Sequence, residues 1–506
     1  MSEGSRSGPL VAEFHSSNRR MFCVTIRRSS GRLAIFVTVS MLALLAGCSF
    51  APDHVRPAAP IPANYPSGTV NERSVAAIGW QDFFREAGLR ELISDALANN
   101  RDLRIATARV AEARAAWRIE GAALYPTLDA VGTGTRGRSL FNLPGIGPQT
   151  IDIRQMSAQM SAGWEIDFWG RLRNLRDAGR EQYLSSEEAR RAVATDLVAQ
   201  VANGYLLECE YGERAALARR TIQTREEALR IMRRRYEVGS GSKLDMTQAQ
   251  TLLAQARNAL HALDQDREVN RNALALLVGR PVQIAPEPPH LAAAAPSMVL
   301  PIGLPSDLLL DRPDIIGAEH RLKAANANIG AARSAFLPNI NLTGAYGTAS
   351  SELDGLFRGG SEAWTFTPTI TLPIFTAGRL KRTLDVALAR RDLAVAEYEQ
   401  TIQRAFRDVS DALVRRRQLT LQIETTREML AALTERARLA QLSFDNGRSS
   451  YLEVLDAQRD LFETEQALVQ LRRAELASVV ALYSALGGGF SYQDASTTAA
   501  RRIVNP

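Results

Sequence analysis

One stretch of about fifteen residues occurs twice in this chain. Tyr236–Gln250 reads YEVGSGSKLDMTQAQ, and Phe444–Gln458 reads FDNGRSSYLEVLDAQ. At a spacing of 208 residues Tyr236 meets Phe444, Gly239 meets Gly447, Leu244 meets Leu452, Asp245 meets Glu453, and Ala249-Gln250 meet Ala457-Gln458. A Gly between two helical patterns, with a Ser shortly before the second, marks a helix end followed by a helix start. The same spacing matches Leu277-Val278-Gly279 with Ala485-Leu486-Gly487, and Gly170-Arg171-Leu172 with Gly378-Arg379-Leu380. Further upstream, Leu124-Tyr125-Pro126 matches Phe336-Leu337-Pro338 at a spacing of 212. A tandem duplication of about 200 residues is too long for a solenoid unit; it makes two structural halves of one fold.

Each half carries a very long helical pattern. No proline occurs between Pro148 and Pro281, or between Pro373 and Pro506. Val395, Tyr398, Ile402, Phe406, Val409 and Leu413 step by three or four, a narrow seam of coiled-coil type. In the first half the seam is Val193, Leu197, Val201 and Tyr205 in an Ala- and Val-rich stretch. A helix from Gly170 to Val238 is roughly 100 Å long at 1.5 Å per residue. It cannot bury its seam in a compact domain and needs helix neighbours along its length. The return helices, Leu244–Val278 and Leu452–Leu486, are about half as long. A helix over Leu89–Ala123, and its counterpart ending at Ala335, supply the rest of the return path.

Between these helices lie segments of period two. Met156, Ala158, Met160, Ala162, Trp164, Ile166 and Phe168 share one face, opposite Ser157, Gln159, Ser161, Glu165 and Asp167. In the second half Trp364, Phe366, Pro368, Ile370, Leu372 and Ile374 face away from Thr365, Thr367, Thr369 and Thr371. Partner strands are expected over Thr127–Gly137 and Asn339–Ala349, with Gly-rich tips near 138–154 and 350–362. Soluble sheets alternate too, but here the apolar face is continuous and edged by Trp and Phe, as on the outside of a membrane barrel. Pro368 removes one ladder donor. Four strands cannot close a barrel, and an open sheet edge does not stand in lipid. Three copies give twelve strands, an allowed size.

The amino terminus reads as a leader. Arg27, Arg28 and Arg32 precede an apolar run over 33–46, right in length for a signal-peptide core and short for a membrane span. The chain carries +6, of which the first 47 residues hold +4, so the remaining +2 gives no case for nucleic-acid binding. Of the three cysteines, Cys23 and Cys48 lie in or at the end of the leader, which leaves Cys209 as a small buried hydrophobe and excludes a disulfide framework. His261, His290 and His320 have no metal-ligand spacing, and no phosphate loop, dinucleotide fingerprint or G-x-S-x-G elbow is present. No cofactor is expected, and an enzyme is the poorest class for this chain. Carboxylates alternate with Arg on the helices, where solvated faces account for them.

Leu45-Ala46-Gly47-Cys48 resembles a bacterial lipobox. The resemblance implies cleavage before Cys48, diacylglycerol on its thiol and acylation of the new amino terminus. Ser49 after the Cys points to the outer membrane. The chain as a whole resembles the outer membrane factor family, the TolC/OprM/NodT-type channels of Gram-negative tripartite efflux systems. The matching motifs are RYEVGSGSKLDMTQAQ (235–250), NALALLVGRPV (272–282), LPSDLLLDRPDI (304–315), YLEVLDAQRDLF (451–462) and ALGGGF (485–490). The resemblance implies an α+β membrane protein, a homotrimer with a 12-stranded β-barrel on a long periplasmic α-helical barrel. Its partners would be a periplasmic adaptor and an inner membrane transporter of the RND class, or an ABC exporter. The corresponding domains are a signal peptide (1–47), an anchor and extended arm (48–88), a first repeat (89–279), a Pro-rich equatorial linker (280–303), a second repeat (304–489) and a tail (490–506). Within the repeats lie hairpins 127–168 and 339–375 and helical hairpins 170–279 and 378–487. Two other readings are a duct for type I protein secretion, which neighbouring coding sequences would distinguish, and a structural coiled-coil lipoprotein, which would not conduct.

The resemblance also nominates sites. Gly239, Ser240, Gly447 and Arg448 fall at helix tips that would dock the adaptor, although a Gly is also the ordinary residue just past a helix end. Asp245, Glu453 and Asp456 match the positions that line the constriction at the periplasmic mouth. Ser450-x-x-Glu453 also fits a capping box, Asp245 lies where a negative charge suits the helix dipole, and Asp456 has an i,i+3 neighbour in Arg459.

Overall fold

A computed structural model describes residues 49–62, 64–65, 78–143, 147–284, 290–296, 300 and 305–488. The leader, Cys48, parts of the linker and the tail lie outside the described residues.

The helices are α1 (Trp80–Phe83), α2 (Ala87–Asn99), α3 (Arg101–Ala122), α4 (Arg171–Glu237), α5 (Lys243–Val278), α6 (Leu308–Asp311), α7 (Pro313–Ser334), α8 (Arg379–Asp445) and α9 (Tyr451–Ala485). Strands β1 (Thr127–Leu143) and β2 (Gly147–Ile166) precede α4, and β3 (Asn339–Ser350) and β4 (Glu362–Thr371) precede α8. The duplication is visible in the lengths: α4 and α8 have 67 residues each, α5 has 36 and α9 has 35. It is visible again in the backbone. Gly170 and Gly378 open the long helices, Gly239 and Gly447 close them, and Gly279 and Gly487 close the return helices, all at positive φ.

The four strands form one antiparallel sheet in the order β1-β2-β3-β4. Register carries the alternation across it. Met160 stands opposite Ala130 and Tyr346, and Tyr346 opposite Trp364. The row Ile166, Ile340, Ile370 runs the same way. The other face pairs Thr343 with Gly163 and Thr367, and Ser161 with Asp129 and Ala345. On the apolar face Tyr346, Trp364, Phe366 and Ile370 are all exposed in the single chain. Pro368 sits in β4, an outer strand of the sheet. The Gly-rich tip expected over 138–154 is instead strand: the β1–β2 ladder runs on to Leu143 opposite Gly147. The antiparallel neighbour supplies the backbone bonds that keep this stretch extended, and the Arg138–Asp152 ion pair at 2.7 Å lies directly across the strands.

The helix expected over Leu89–Ala123 is two helices. Asn100, at φ −56° and ψ 136°, ends α2 with its N–H on Ala96 O and starts α3 with its side chain accepting from Leu103 N at 2.8 Å. Its amide also donates to Leu277 O at 2.8 Å, so the end of α5 abuts the start of α3. The second half repeats this at Arg312, φ −85° and ψ 121°, where Pro313 bars a helical conformation. Arg312 donates to Ala485 O at 3.0 Å, so α9 meets α7 end to end.

The main core surrounds these junctions. It combines Phe83, Phe84 and Tyr483 with the seams of α4 (Val201, Tyr205) and α8 (Tyr398, Ile402). Cys209 is buried in it, and burial pushes its thiol up to about 12, out of reach of thiolate chemistry at neutral pH. The extended arm lies along the helices: Ser49 Oγ donates to Asn174 Oδ1 at 3.0 Å, Arg333 to Phe50 O at 3.1 Å, and Arg56 pairs with Glu319 at 2.7 Å. Any side chain at Gly330 would stand 2.7 Å from Ala51 N, so the arm requires that glycine.

Candidate functional site

The helical tips farthest from the sheet contain the nominated residues. At the end of α4, Gly239 has φ +74°; its N–H bonds Tyr236 O at 3.0 Å and Ser240 N–H bonds Arg235 O at 2.9 Å. At the end of α8, Gly447 has φ +69°, with Gly447 N–H on Phe444 O and Arg448 N–H on Ser443 O, both at 2.9 Å. Both are Schellman closures, which need a residue in the left-handed region. Gly239, Ser240, Gly447 and Arg448 are exposed, and an added Cβ at either Gly meets nothing within 4 Å.

Beneath the tips a small core joins the two hairpins: Met232 from α4, Ala249 and Leu252 from α5, and Tyr451, Val454 and Leu455 from α9. Phe444 packs on Tyr451 with centroids 5.0 Å apart, and Arg235 covers the Phe444 ring at 5.0 Å. The tips are therefore one unit rather than two independent turns.

The three nominated carboxylates sit in different settings. Asp245 is in a capping box: its N–H bonds Ser242 Oγ at 3.0 Å and its carboxylate receives Ser242 N–H at 3.4 Å. The capping box expected at Ser450 and Glu453 is absent; Ser450 makes no side-chain cap, and Glu453 N–H reaches Ser450 O at 3.3 Å instead. That backbone bond tightens the first turn and leaves the Glu453 carboxylate exposed. Asp456 is half-buried and lies 3.4 Å from Arg459, which also reaches Asp460 at 3.3 Å. Asp460 in turn holds Arg436 at 2.7 Å, so this chain of charges ties α9 to α8. No ion pair or hydrogen bond joins Asp245, Glu453 and Asp456 to one another among the described residues.

Several charged groups are buried, against the expectation of solvated faces. Glu208 is fully buried and binds Arg267 at 2.6 Å and Arg271 at 2.7 Å, joining α4 to α5. Glu210 binds Arg214 and Arg473, both at 2.9 Å, joining α4 to α9. Arg225 is buried at the tip core, donates to Leu252 O at 2.6 Å and lies over the Phe462 ring at 5.3 Å. Burial pulls its pKa below the ordinary guanidinium value. A helix with neighbours on both flanks desolvates residues that a free helix would leave in water.

An apolar-faced antiparallel sheet, carried on paired helices with no compact domain around them, defines a membrane channel extended by a helical conduit. Residues 92–280 and 304–488 match the family described as Outer membrane efflux protein, one match in each half of the duplication, and the chain belongs to that family. It is 43% identical over 468 residues to the solvent efflux pump outer membrane protein SrpC of Pseudomonas putida, covering 90% of this chain and 99% of that one. It is 41% identical over 449 residues to the cation efflux system protein CusC of Escherichia coli K12, covering 88% and 97%. The fold superposes on a crystal structure of CusC with a TM-score of 0.80 over 87% of this chain and 100% of that one, at 40% identity. The open state of the Neisseria gonorrhoeae MtrE outer membrane channel gives 0.80 over 87% and 98%, at 36% identity. The protein is an outer membrane component of an efflux pump and not an enzyme.

Proposed function

We propose that three copies of the chain close a twelve-stranded barrel in the outer membrane and a helical barrel beneath it. Small solutes would then pass to the outside from an inner membrane pump of the RND class. The observation that carries this is a sheet with an apolar face of bilayer height and two open edges. On β2 the apolar run is Met156 to Ile166; on β4 and the residues after it, Trp364 to Ile374. Each spans eleven residues, ten steps or roughly 33 Å of extended chain, and about 25 Å along the membrane normal at a tilt of about 40°. The runs are offset, because Trp364 lies in the row of Met160, as tilted strands require. β1 and β4 are the edges, and pairing β4 with the β1 of a second copy satisfies both. The helical flanks agree: Ile119 and Leu276 on one side and Leu393 and Leu421 on the other are exposed in the single chain.

In this reading Gly239, Ser240, Gly447 and Arg448 are the surface offered to a periplasmic adaptor. Asp245, Glu453 and Asp456 surround the mouth, where a threefold axis would bring three Asp456 side chains together and favour cations. Ser49, the first described residue of the arm, bonds Asn174 in the first turn of α4, and an acyl chain on Cys48 would anchor the arm to the bilayer. Cys48→Ser should abolish labelling by radioactive palmitate while leaving the barrel inserted. The assembly is tested by native mass spectrometry and planar-bilayer recording of the full chain. Three chains per particle and stable conductance are expected; a conducting monomer or a non-conducting trimer would refute it.

A further inference from the structure

The β1–β2 hairpin outlasts its neighbours. β3 ends at Ser350, opposite Met156, while β1 and β2 stay paired for nine more residues of β2. This free ribbon points away from the helices, that is, toward the cell exterior in the assembly proposed above. Its charges lie on one face. Arg136 is directly opposite Arg154, and Arg138 directly opposite Asp152. By the two-residue alternation these four share the face of Met156, Met160 and Trp164, the face turned to lipid.

Two features of this patch point to a ligand. Like charges directly across a ladder are destabilising, yet neither Arg136 nor Arg154 makes an ion pair or hydrogen bond with any other described residue, and both are exposed. The carboxylate in the next row, Asp152, is engaged by Arg138 at 2.7 Å and 3.2 Å. The patch thus holds three guanidinium groups against one carboxylate. The second feature is height. Arg154 lies two residues beyond Met156, the last apolar residue of that run, which is about 5 Å along the membrane normal. At that level the acyl chains of the outer leaflet give way to headgroups.

We propose that Arg136, Arg154 and Arg138 form a binding site on the outside of the barrel for the phosphate groups of an outer-leaflet lipid. A phosphate between Arg136 and Arg154 would relieve their repulsion, and the guanidinium fork matches phosphate in two-point geometry, which a lysine ammonium does not. The acyl chains of the same lipid would lie along Met156 and Met160. The site would hold an annular lipid in register with each protomer and fix the depth of the barrel. The inference rests on the reading that this face meets lipid.

Native mass spectrometry of the full chain, titrated with bisphosphorylated lipid A and with dephosphorylated lipid A, tests it. The wild type should bind the phosphorylated form at least about tenfold more tightly, and the triple variant Arg136→Gln, Arg154→Gln, Arg138→Gln should lose that preference. The variant Arg136→Lys, Arg154→Lys, Arg138→Gln should keep part of it. Quenching of the Trp164 and Trp364 fluorescence by nitroxide-labelled lipid checks the lipid-facing reading separately. If quenching is strong but the triple variant binds phosphorylated lipid A within twofold of wild type, the phosphate site is wrong and the barrel orientation stands. If quenching is absent, the orientation fails and the site with it.

Discussion

The paired glycines separate strain from packing, and a single substitution repeated at four positions reads both. Gly239 and Gly447 have φ of +74° and +69°, and a Cβ there meets nothing within 4 Å. Gly239→Ala therefore costs the left-handed conformation alone, about 1–2 kcal/mol, with both Schellman bonds kept. Gly279 has a similar φ of +76°, but its Cβ would lie 2.5 Å from Asn99 O and 3.0 Å from Asn99 C. Those atoms belong to the break between α2 and α3, which the Asn100–Leu277 bond at 2.8 Å clamps in place. Overpacking against such backbone adds about 1–3 kcal/mol, for a total of about 2–5 kcal/mol. Gly487 repeats the geometry, with Asp311 O at 2.8 Å. Hydrogen exchange by mass spectrometry on the full chain resolves the two classes. Gly239→Ala and Gly447→Ala should speed exchange at the tips by about 5- to 30-fold and leave the junctions unchanged. Gly279→Ala and Gly487→Ala should speed exchange at the α2–α3 and α6–α7 junctions by at least about 30-fold. Equal effects at all four positions would refute the packing argument. The tip glycines then admit a functional test. If the tips dock an adaptor as proposed, Gly239→Leu should reduce efflux while the yield of the proposed trimer and junction protection stay normal. A parallel loss of trimer would make the tip glycine a structural residue only.

Three further outcomes follow from the charges. Glu208→Gln leaves Arg267 and Arg271 without their buried counter-charge and should cost about 2–4 kcal/mol, read as faster exchange along the α4–α5 pair; an unchanged rate would show that the two arginines re-solvate. Burial by itself would raise the Glu319 carboxyl, but Lys323 and Arg56 outweigh it and hold its pKa below the usual 4.5. Its depressed pKa makes the arm contact fully present above about pH 4.5 and lost as the pH falls through the folded value, so exchange in residues 49–62 should rise only on acidification below that point. If the proposed trimer brings Asp456 to the mouth, Asp456→Asn should weaken cation preference in planar bilayers, measured as reversal potential in a salt gradient, because it would remove one charge per protomer there; an unchanged potential would leave Asp456 as the partner of Arg459 and nothing more.

The nominated site was legible only in part. The glycine turns could be read because a Schellman closure is a local event whose residues are contiguous. The roles of the carboxylates could not. A Ser three residues before an acid occurs at both tips, Ser242 with Asp245 and Ser450 with Glu453, yet only the first forms the box. The second helix start is held by Tyr451, packed into the tip core against Phe444, and that contact comes from a different helix. Arg225 had no signal at all: its burial depends on Phe462 and Leu252, far along the chain.

By itself the sequence determined the duplication, the two-residue alternation of the strands, the two helices of 67 residues and the left-handed glycines that end them. Those features follow from periodicity and backbone sterics, which act over a few residues and are written in consecutive positions. Only the tertiary structure decided where the outer helices break, how far β1 and β2 remain paired, and which charges leave water. The helical pattern continues through Asn100, and it is the carbonyl of Leu277, brought there by the return of α5, that makes the break worth its lost helical bond. Residues 138–143 and 147–154 look like a Gly-rich tip in isolation, and the facing strand makes them ladder. Glu208 alternates with its neighbours like any surface carboxylate until α5 packs over it and supplies two arginines. In each case the deciding partner lies tens to hundreds of residues away, so the energy that fixes the local choice exists only once the chain has folded back on itself.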